Sequence, residues 1–216
     1  MTSSPKFKSY DRQYYDRWYR DPVDRVSTRE SLERKVRMAV SVAEYVLGRH
    51  VRTVLDVGCG EAAWLPVLRR IRRGVRYTGV ETSEYALERY GAERNIRRGD
   101  IRGLADLGLR RTFDLIVCAD VLQYVSDRDA SRGLAAMRRL LGGVAYIEAF
   151  ATEDEMEGDR LNWQERSAAR YRRMFRQARL TPCGPYCYVD LMRHPELNVF
   201  EHLCARGVAR GTDRAS

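Results

Sequence analysis

Glycines and acids at a few fixed places in the sequence are the residues best suited to hold a ligand. Gly58 and Gly60 follow a short apolar run that is rich in β-branched residues, and a helical pattern begins soon after them. Without a Cβ atom, these residues let a ligand approach the backbone closely. Asp56, Glu81 and Asp100 each stand at or near the end of a predicted strand. Because ligands bind beyond the carboxyl ends of parallel strands, the pattern predicts one ligand site there.

The acids decide which kind of ligand fits. Glu81 lies about 20 residues after the glycines, a spacing that suits ribose hydroxyls. Asp100 can accept a hydrogen bond from the amine of an adenine, and Ile101 can pack on its face. The run Gly58–Ala63 also satisfies the degenerate dinucleotide pattern G-x-G-x-x-A, which is a weak signal alone. A pyrophosphate would be repelled by the neighbouring carboxylates, so a cationic nucleoside with an amino group is favoured over NAD.

An alternation of strands and helices is predicted to position these residues. The predicted strands cover residues 52–57, 75–81, 95–98, 112–118 and 143–150. The predicted helices between them cover residues 62–72, 83–94 and 128–141. This rhythm is typical of an α/β fold in which helices cover both faces of a mainly parallel sheet.

The last third of the chain has a different pattern. An acidic loop at 152–159 precedes a predicted helix at 162–178, and two strands at 185–191 and 197–205 then follow without a helix between them. We expect these two strands to form an antiparallel hairpin at the sheet edge. The predicted organisation is an N-terminal helical lid segment at 1–50, a ligand-binding domain at 51–206 and a tail at 207–216.

The N-terminal segment is both aromatic and charged. Tyr10, Tyr14 or Tyr15, and Trp18 recur at helical spacing. A second helix is predicted from a Ser-Thr cap at 27–28 to about Leu47, where Gly48 stops it. The aromatic rings either close over the ligand as a lid and wall the substrate site, or pack one helix face on the core. The sequence leaves both interpretations open.

Composition narrows the class of protein. The 216-residue chain has a net charge of +9, carried almost wholly by arginines that are spread among acids, so a nucleic-acid substrate is disfavoured. It has no apolar run of membrane-spanning length and no signal-peptide core, which predicts a cytoplasmic protein without a membrane partner. Five scattered cysteines are typical of reduced thiols, and no metal site is predicted.

The motifs resemble those of the class I S-adenosylmethionine-dependent methyltransferases. The matching segments, in the family's order, are Leu55–Gly60, Gly79–Ser83, Gly99–Ile101 and Phe113–Tyr124. The resemblance covers roughly residues 50–150. It implies a Rossmann-like fold with a seven-stranded, mainly parallel sheet and a final antiparallel hairpin, which agrees with the strands predicted above.

The same resemblance implies S-adenosylmethionine as the cofactor. The glycine turn would pass under its methionine part, Glu81 would hold the ribose, and Asp100 with Ile101 would hold the adenine. The predicted cofactor-binding residues are Asp56, Gly58, Cys59, Gly60, Glu81, Thr82, Asp100, Ile101 and Ala119. The chain departs from many relatives at Tyr124, where they have a histidine.

Tyr124 and Asp120 follow the fourth strand and are the candidate catalytic residues. The cofactor's methyl group sits on a sulfonium, so much of catalysis can be positioning, and a base is needed only if the nucleophile starts protonated. Tyr124 can orient a nucleophile, face the sulfonium or simply pack, and it acts as a base only if its pKa is lowered. Asp120 is either a base or a loop-capping carboxylate. The predicted substrate-binding residues are Tyr14, Tyr15, Trp18 and Glu148.

The sequence therefore predicts an S-adenosylmethionine-dependent methyltransferase that acts on an oxygen or nitrogen atom of a small molecule, such as a specialised metabolite. One alternative is an RNA methyltransferase, although the Asn/Asp-Pro-Pro-Tyr segment of amino-methylating nucleic-acid enzymes is replaced by Ala119-Asp-Val-Leu. The other is a non-catalytic module that binds the cofactor or its product. The sequence makes no prediction of oligomeric state.

Overall fold

Among the residues that the structure describes, seven strands form a single Rossmann-like sheet. The computed structural model describes residues 8–155 and 158–197. The strand order is β3-β2-β1-β4-β5-β7-β6. The strand bounds are β1 Thr53–Val57, β2 Arg76–Glu81, β3 Ile96–Arg98, β4 Phe113–Ala119, β5 Leu141–Glu148, β6 Thr181–Gly184 and β7 Cys187–Val189.

The first five strands are parallel, and the strand order reverses beside β1. β1 pairs with β2 on one side and with β4 on the other, so the chain moves outward first in one direction and then in the other. A crevice at such a reversal, beyond the carboxyl ends of the strands, is the usual ligand site of open α/β sheets. β7 then pairs antiparallel with β5, and β6 pairs antiparallel with β7.

Helices cover both faces of the sheet, as the strand–helix rhythm predicts. The helix bounds are α1 Arg12–Tyr15, α2 Arg29–Leu47, α3 Trp64–Ile71, α4 Glu84–Arg94, α5 Asp127–Leu140 and α6 Ala168–Gln177. Alternate residues of β1 face two separate apolar clusters: Val54 lies with α2 and α3, whereas Leu55 and Val57 lie with α5 and α6. The carboxyl edge of the sheet is thus fixed from both sides.

Capping residues set where the N-terminal helices begin and end. The Thr28 hydroxyl accepts a hydrogen bond from the Ser31 N–H at 3.0 Å, and Gly48 ends α2 in the left-handed conformation with φ 62°. The short helix α1 continues as one π-helical turn, Asp16–Arg20, which is closed by a hydrogen bond from the Asp21 N–H to the Asp16 carbonyl. The helical segments predicted before residue 48 are confirmed.

The antiparallel hairpin is confirmed, but its strands lie earlier than predicted. The strand predicted at 185–191 is shorter, and it pairs with Thr181–Gly184 instead of with residues 197–205. Tyr186, with φ 57°, forms the turn between the two strands. Of the second predicted strand, Leu197 is not in a strand, and residues 198–205 lie outside the described part of the chain.

The helix predicted at 162–178 is also shorter, because residues 158–167 form a loop that packs against the segment after β4. Asn162 has a left-handed φ of 65°, and Ser167 caps the start of α6. Arg166 is only 3% exposed. Its guanidinium donates hydrogen bonds to the Leu122 carbonyl at 2.6 Å and to the Asp127 carboxylate at 2.5 Å. The other predicted elements from β1 to β5 differ from the observed ones by at most two residues at either end.

Candidate active site

A cavity of about 560 Å³ lies at the carboxyl edge of the sheet. Its volume is within the range of small-molecule and cofactor sites, roughly 300–1,000 Å³. The structure brings together most of the predicted site residues in its wall: Tyr14, Tyr15, Trp18, Gly58, Gly60, Glu81, Thr82, Asp100, Ile101, Ala119, Asp120 and Tyr124. The predicted residues outside the cavity wall are Asp56, Cys59 and Glu148.

The glycine turn after β1 depends on the absence of side chains. Gly58 has φ 72°, and a Cβ atom there would lie 2.3 Å from the Val121 side chain. Gly60 has φ 53°, and its Cβ would lie 3.1 Å from the ring of Tyr15. The backbone is therefore pressed between the segment after β4 and the N-terminal segment, with its glycines at the cavity wall.

Glu81, at the end of β2, is held by the backbone around it. Its Oε2 atom accepts a hydrogen bond from the Gly60 N–H at 2.7 Å, and its Oε1 accepts from the Thr82 and Ser83 N–H groups at 2.7 and 3.0 Å. Three N–H donors fix the carboxylate at the cavity wall and link β2 to the glycine turn.

Asp100 and Ile101 form the cavity wall after β3. Asp100 accepts a hydrogen bond from the Gly103 N–H at 2.9 Å and another from the Arg102 side chain at 2.6 Å, so its carboxylate also closes a tight turn. Ile101 is 1% exposed and lies against Gly133 of α5, where a Cβ would come within 2.2 Å of its Cγ1 atom. The position of Ile101 is thus set by a glycine on a neighbouring helix.

Asp120 stands directly after β4 in the left-handed conformation, with φ 59°. A non-glycine residue with positive φ is uncommon and accumulates at functional sites. Within the described residues, its buried Oδ1 atom has no hydrogen-bond partner. Burial, together with the charge of Glu148, raises the pKa of Asp120 to about 6, although Lys35 and a hydrogen bond from Gln123 oppose the rise. The carboxyl can therefore exchange a proton near neutral pH.

Tyr124 has surroundings that disfavour a role as a base. Burial raises the pKa of its phenol, and the nearby Asp159 carboxylate adds to the rise. Its hydroxyl donates a hydrogen bond to the Asp159 backbone carbonyl at 2.7 Å. Of the roles open to Tyr124 in the sequence, orienting a ligand or packing against one agrees with this geometry better than proton abstraction.

Three predicted site residues make contacts outside the cavity wall. Asp56 is 3% exposed and accepts a hydrogen bond from the Tyr77 hydroxyl at 2.8 Å, and burial raises its pKa to about 7. The Cys59 thiol points towards Gly79, where a Cβ would lie 2.6 Å from its sulfur. Glu148 accepts hydrogen bonds from Lys35 at 2.7 Å and, in addition, from the Tyr146 hydroxyl. None of the three lines the cavity, and each contacts a neighbouring strand or helix instead.

The N-terminal segment forms part of the cavity wall. The Ser83 hydroxyl donates a hydrogen bond to the Tyr10 carbonyl, which ties this segment to the end of β2. Tyr14 and Tyr15 contact each other edge to face, with ring centroids 5.5 Å apart. Tyr15 is 4% exposed, so its ring serves both as packing and as cavity wall.

Sequence reasoning missed several residues of the site. Lys8, Lys35, Gln123 and Asp159 all contact predicted site residues. Lys35 alone had a detectable signal, because it lies three residues after Leu32 and four before Ala39, so a lysine interrupts the apolar face of α2. The contacts of Lys8 and Asp159 with Tyr124 join segments far apart in sequence, whereas Gln123 lies only three residues from Asp120. No local pattern indicates any of these contacts.

Two further properties concern the whole described chain. Within residues 8–155 and 158–197, no helix combines the length and apolarity needed to cross a membrane. The same residues contain no group of three or more histidine, cysteine or acidic side chains arranged to hold a metal ion.

A profile of the methyltransferase domain family matches residues 10–183, which include the whole carboxyl edge of the sheet. The chain belongs to this methyltransferase family. S-adenosylmethionine is the cofactor that the sequence motifs imply for such a domain. No curated protein is significantly similar to this methyltransferase in sequence.

Solved structures share the fold at low sequence identity. DesVI from Streptomyces venezuelae is 16% identical, with a TM-score of 0.60 over 78% of this chain and 89% of its own. The plantazolicin methyltransferase BamL, in complex with S-adenosylhomocysteine and a triazolic desmethyl analogue, is 15% identical, with a TM-score of 0.53 over 69% of this chain and 62% of its own. CalS10 from Micromonospora echinaspora, an amino pentose methyltransferase bound to S-adenosylmethionine, is 22% identical, with a TM-score of 0.49 over 60% of this chain. The methyltransferase spans 56% of the length of CalS10.

The site itself fits the cofactor. Its wall combines a glycine backbone, a fixed carboxylate at Glu81 and an apolar side chain at Ile101, which suit an amino-acid moiety, a ribose and an adenine face. The buried Oδ1 atom of Asp120, which lacks a partner among the described residues, can accept from a polar ligand.

Proposed function

We propose that this methyltransferase transfers the methyl group to an oxygen or nitrogen atom of a small molecule. The observation that carries the proposal is one cavity of about 560 Å³ whose wall combines the glycine turn and Glu81 with the rings of Tyr14 and Trp18. A cofactor held by the glycine turn and Glu81 would take up part of this volume, and the remaining volume, which aromatic rings line, suits a compact acceptor. A small acceptor also agrees with the plantazolicin analogue bound to the structural neighbour BamL.

The proposed cofactor contacts follow from the side chains in the wall. Gly58 and Gly60 would let the methionine part lie against the backbone, and Glu81 would accept hydrogen bonds from the ribose hydroxyls. Ile101 would pack on the adenine, and Asp100 would accept a hydrogen bond from the adenine amine. When bound, S-adenosylmethionine supplies a methyl group on a sulfonium, so that the acceptor's lone pair forms the new bond while the C–S electron pair goes to sulfur.

The residues of the chain would then orient the acceptor and exclude water. We propose that the N-terminal segment acts as a lid, because Tyr10, Tyr14 and Trp18 line the cavity while a hydrogen bond from Ser83 ties the segment to the end of β2. Asp120 would take the acceptor's proton where the acceptor begins protonated, since its raised pKa keeps it a usable base near neutral pH. A cytoplasmic location is supported by the described cysteines, whose thiols are all free.

Two measurements test this function in order. Titration calorimetry with S-adenosylmethionine comes first, and no binding at high micromolar concentration would contradict the cofactor assignment. A turnover assay that detects S-adenosylhomocysteine follows, against a panel of small amines, phenols, carboxylic acids and a structured RNA. Turnover with a small molecule supports the proposal. Binding without turnover across the panel would favour the non-catalytic module, and turnover with RNA alone would favour the RNA enzyme.

A further inference from the structure

A lysine of the chain itself lies in an aromatic cage whose rings line the active-site cavity. The Nζ atom of Lys8 is 3.5 Å from the ring centroid of Tyr124, 5.1 Å from that of Tyr10 and 5.2 Å from that of Tyr14. We call these three rings the tyrosine cage. All three line the cavity of the active site, and only 5% of the Lys8 side chain is exposed.

A carboxylate completes the tyrosine cage. The Oδ2 atom of Asp159 lies 2.9 Å from the Lys8 Nζ atom. Its Oδ1 atom accepts a hydrogen bond from the Leu161 N–H at 2.8 Å, and its backbone carbonyl accepts from the Tyr124 hydroxyl at 2.7 Å. One carboxylate oxygen is thus fixed by its own loop while the other faces the cage.

This arrangement is chemically specific for an ammonium group. A buried cation is costly unless it is paired, and both an aromatic face and a carboxylate reduce that cost here. Burial lowers the pKa of Lys8, whereas its contact with Asp159 opposes that change. A sulfonium would also be attracted to the rings, but it has no N–H to donate to Asp159 at hydrogen-bond distance.

We propose that the tyrosine cage and Asp159 bind an aliphatic ammonium group of the methyl acceptor, and that Lys8 takes this place when no acceptor is bound. The inference rests on the proposed function and adds the acceptor's chemical class. Because the cage shares one cavity with Glu81 and Asp120, an ammonium bound there lies in the same chamber as the cofactor site. The N-terminal segment then acts as an internal competitor, which an acceptor must displace.

The experiment measures binding of a simple probe, butylammonium, by titration calorimetry with S-adenosylhomocysteine present. Lys8→Met removes the competing charge but keeps most of the side chain, and it should bind the probe at least 10-fold more tightly than the wild type. Adding Asp159→Asn or Tyr124→Leu to Lys8→Met should each reverse that gain. Arg12→Met removes a charge from the same segment at a side chain that is 76% exposed, and it should leave the affinity unchanged.

Three results would overturn the inference. The first is equal affinity of Lys8→Met and the wild type for butylammonium, and the second is equal affinity of Lys8→Met for butylammonium and for uncharged 1-butanol. The third is tighter binding of trimethylsulfonium than of butylammonium to Lys8→Met, if Asp159→Asn does not weaken it. The last result would assign the tyrosine cage to the cofactor's sulfonium. Binding of S-adenosylhomocysteine by each variant separates these outcomes from a failure of the proposed function, since a chain that binds the cofactor product but not the probe contradicts the ammonium site alone. Asp159→Asn keeps the test decisive if Tyr124→Leu does not fold.

Discussion

Glu81 receives three backbone N–H donors in the structure, so its carboxylate is oriented before a ribose reaches it. We predict that Glu81→Ala weakens S-adenosylhomocysteine binding by ~1.5–3 kcal/mol, the scale of hydrogen bonds to a charged group. Titration calorimetry measures the change. Glu84→Ala is the matched control, because Glu84 lies on the same turn but is exposed and pairs with Arg98. An unchanged affinity in Glu81→Ala would remove the ribose role.

Asp120 should give the reaction a pH dependence. Its pKa is raised to about 6, so the ionised, base-competent form grows as pH rises through 6. We predict that kcat/KM for a protonated acceptor increases over that range and levels off above it, and that Asp120→Asn lowers kcat/KM by ~10²-fold or more. Asp106→Asn, an exposed carboxylate paired with Arg132, should keep the wild-type profile. The same inflection near pH 6 in Asp120→Asn would assign the titration to another group.

The residues that could be predicted from the sequence are those whose signal is local. Gly58 and Gly60 follow a recognisable strand, Glu81 ends another, and all three line the cavity. The pairing of Lys8 with Asp159 could not be predicted, because it joins the start of the chain to a loop after β5. Nothing in either neighbourhood indicates that the two segments meet. An ion pair across such a sequence distance is a product of the fold.

At the scale of elements, α5 is fitted to the segment after β3 through Gly133. A Cβ there would lie 2.2 Å from the Ile101 Cγ1 atom and 2.9 Å from the Ile101 carbonyl. We predict that Gly133→Ala destabilises the protein by ~1–3 kcal/mol through overpacking. The shift of Ile101, which lines the cavity, should also weaken binding of S-adenosylhomocysteine.

Chemical denaturation and titration calorimetry measure the two effects of Gly133→Ala together. Gly74→Ala is the matched control, because its Cβ would meet no atom within 4 Å. Loss of stability with unchanged affinity would show that Ile101 is not a cofactor contact. An unchanged stability would contradict the close packing between α5 and the segment after β3.

The helices and strands could be predicted wherever a segment of the sequence has a single hydrophobic periodicity, either that of a strand or that of a helix. The strand–helix rhythm from β1 to β5 gives bounds within two residues, because buried strands and amphipathic helices have distinct patterns. The rhythm fails after β5. There the loop at 158–167 is ordered by the buried guanidinium of Arg166, which bonds Leu122 and Asp127. A buried, paired arginine in a helix-like pattern cannot be told from an exposed one by sequence.

At the scale of the whole molecule, the excess of positive charge is spread over both faces of the sheet. Many arginines are paired with acids, including the pairs Arg37–Glu33, Arg49–Asp114, Arg72–Glu44, Arg98–Glu84, Arg132–Asp106 and Arg170–Asp127. Pairing of this kind reduces the local potential that a phosphate backbone would meet. The net charge of +9 therefore favours weak and non-specific attraction to nucleic acid over a built interface.

This distribution predicts how the protein responds to RNA and salt. A 20-nucleotide single-stranded RNA should bind no more tightly than ~1 μM at physiological salt, the upper end of non-specific affinity, and more tightly only at low salt. Fluorescence anisotropy measures both conditions. Two double charge reversals, one at Arg69 and Arg70 on α3 and one at Arg172 and Arg173 on α6, place the same change on opposite faces of the sheet. If both variants lose low-salt RNA affinity equally, the attraction is diffuse. Nanomolar affinity in the wild type that only one of the two reversals abolishes would instead identify an RNA-binding face and favour RNA as the acceptor.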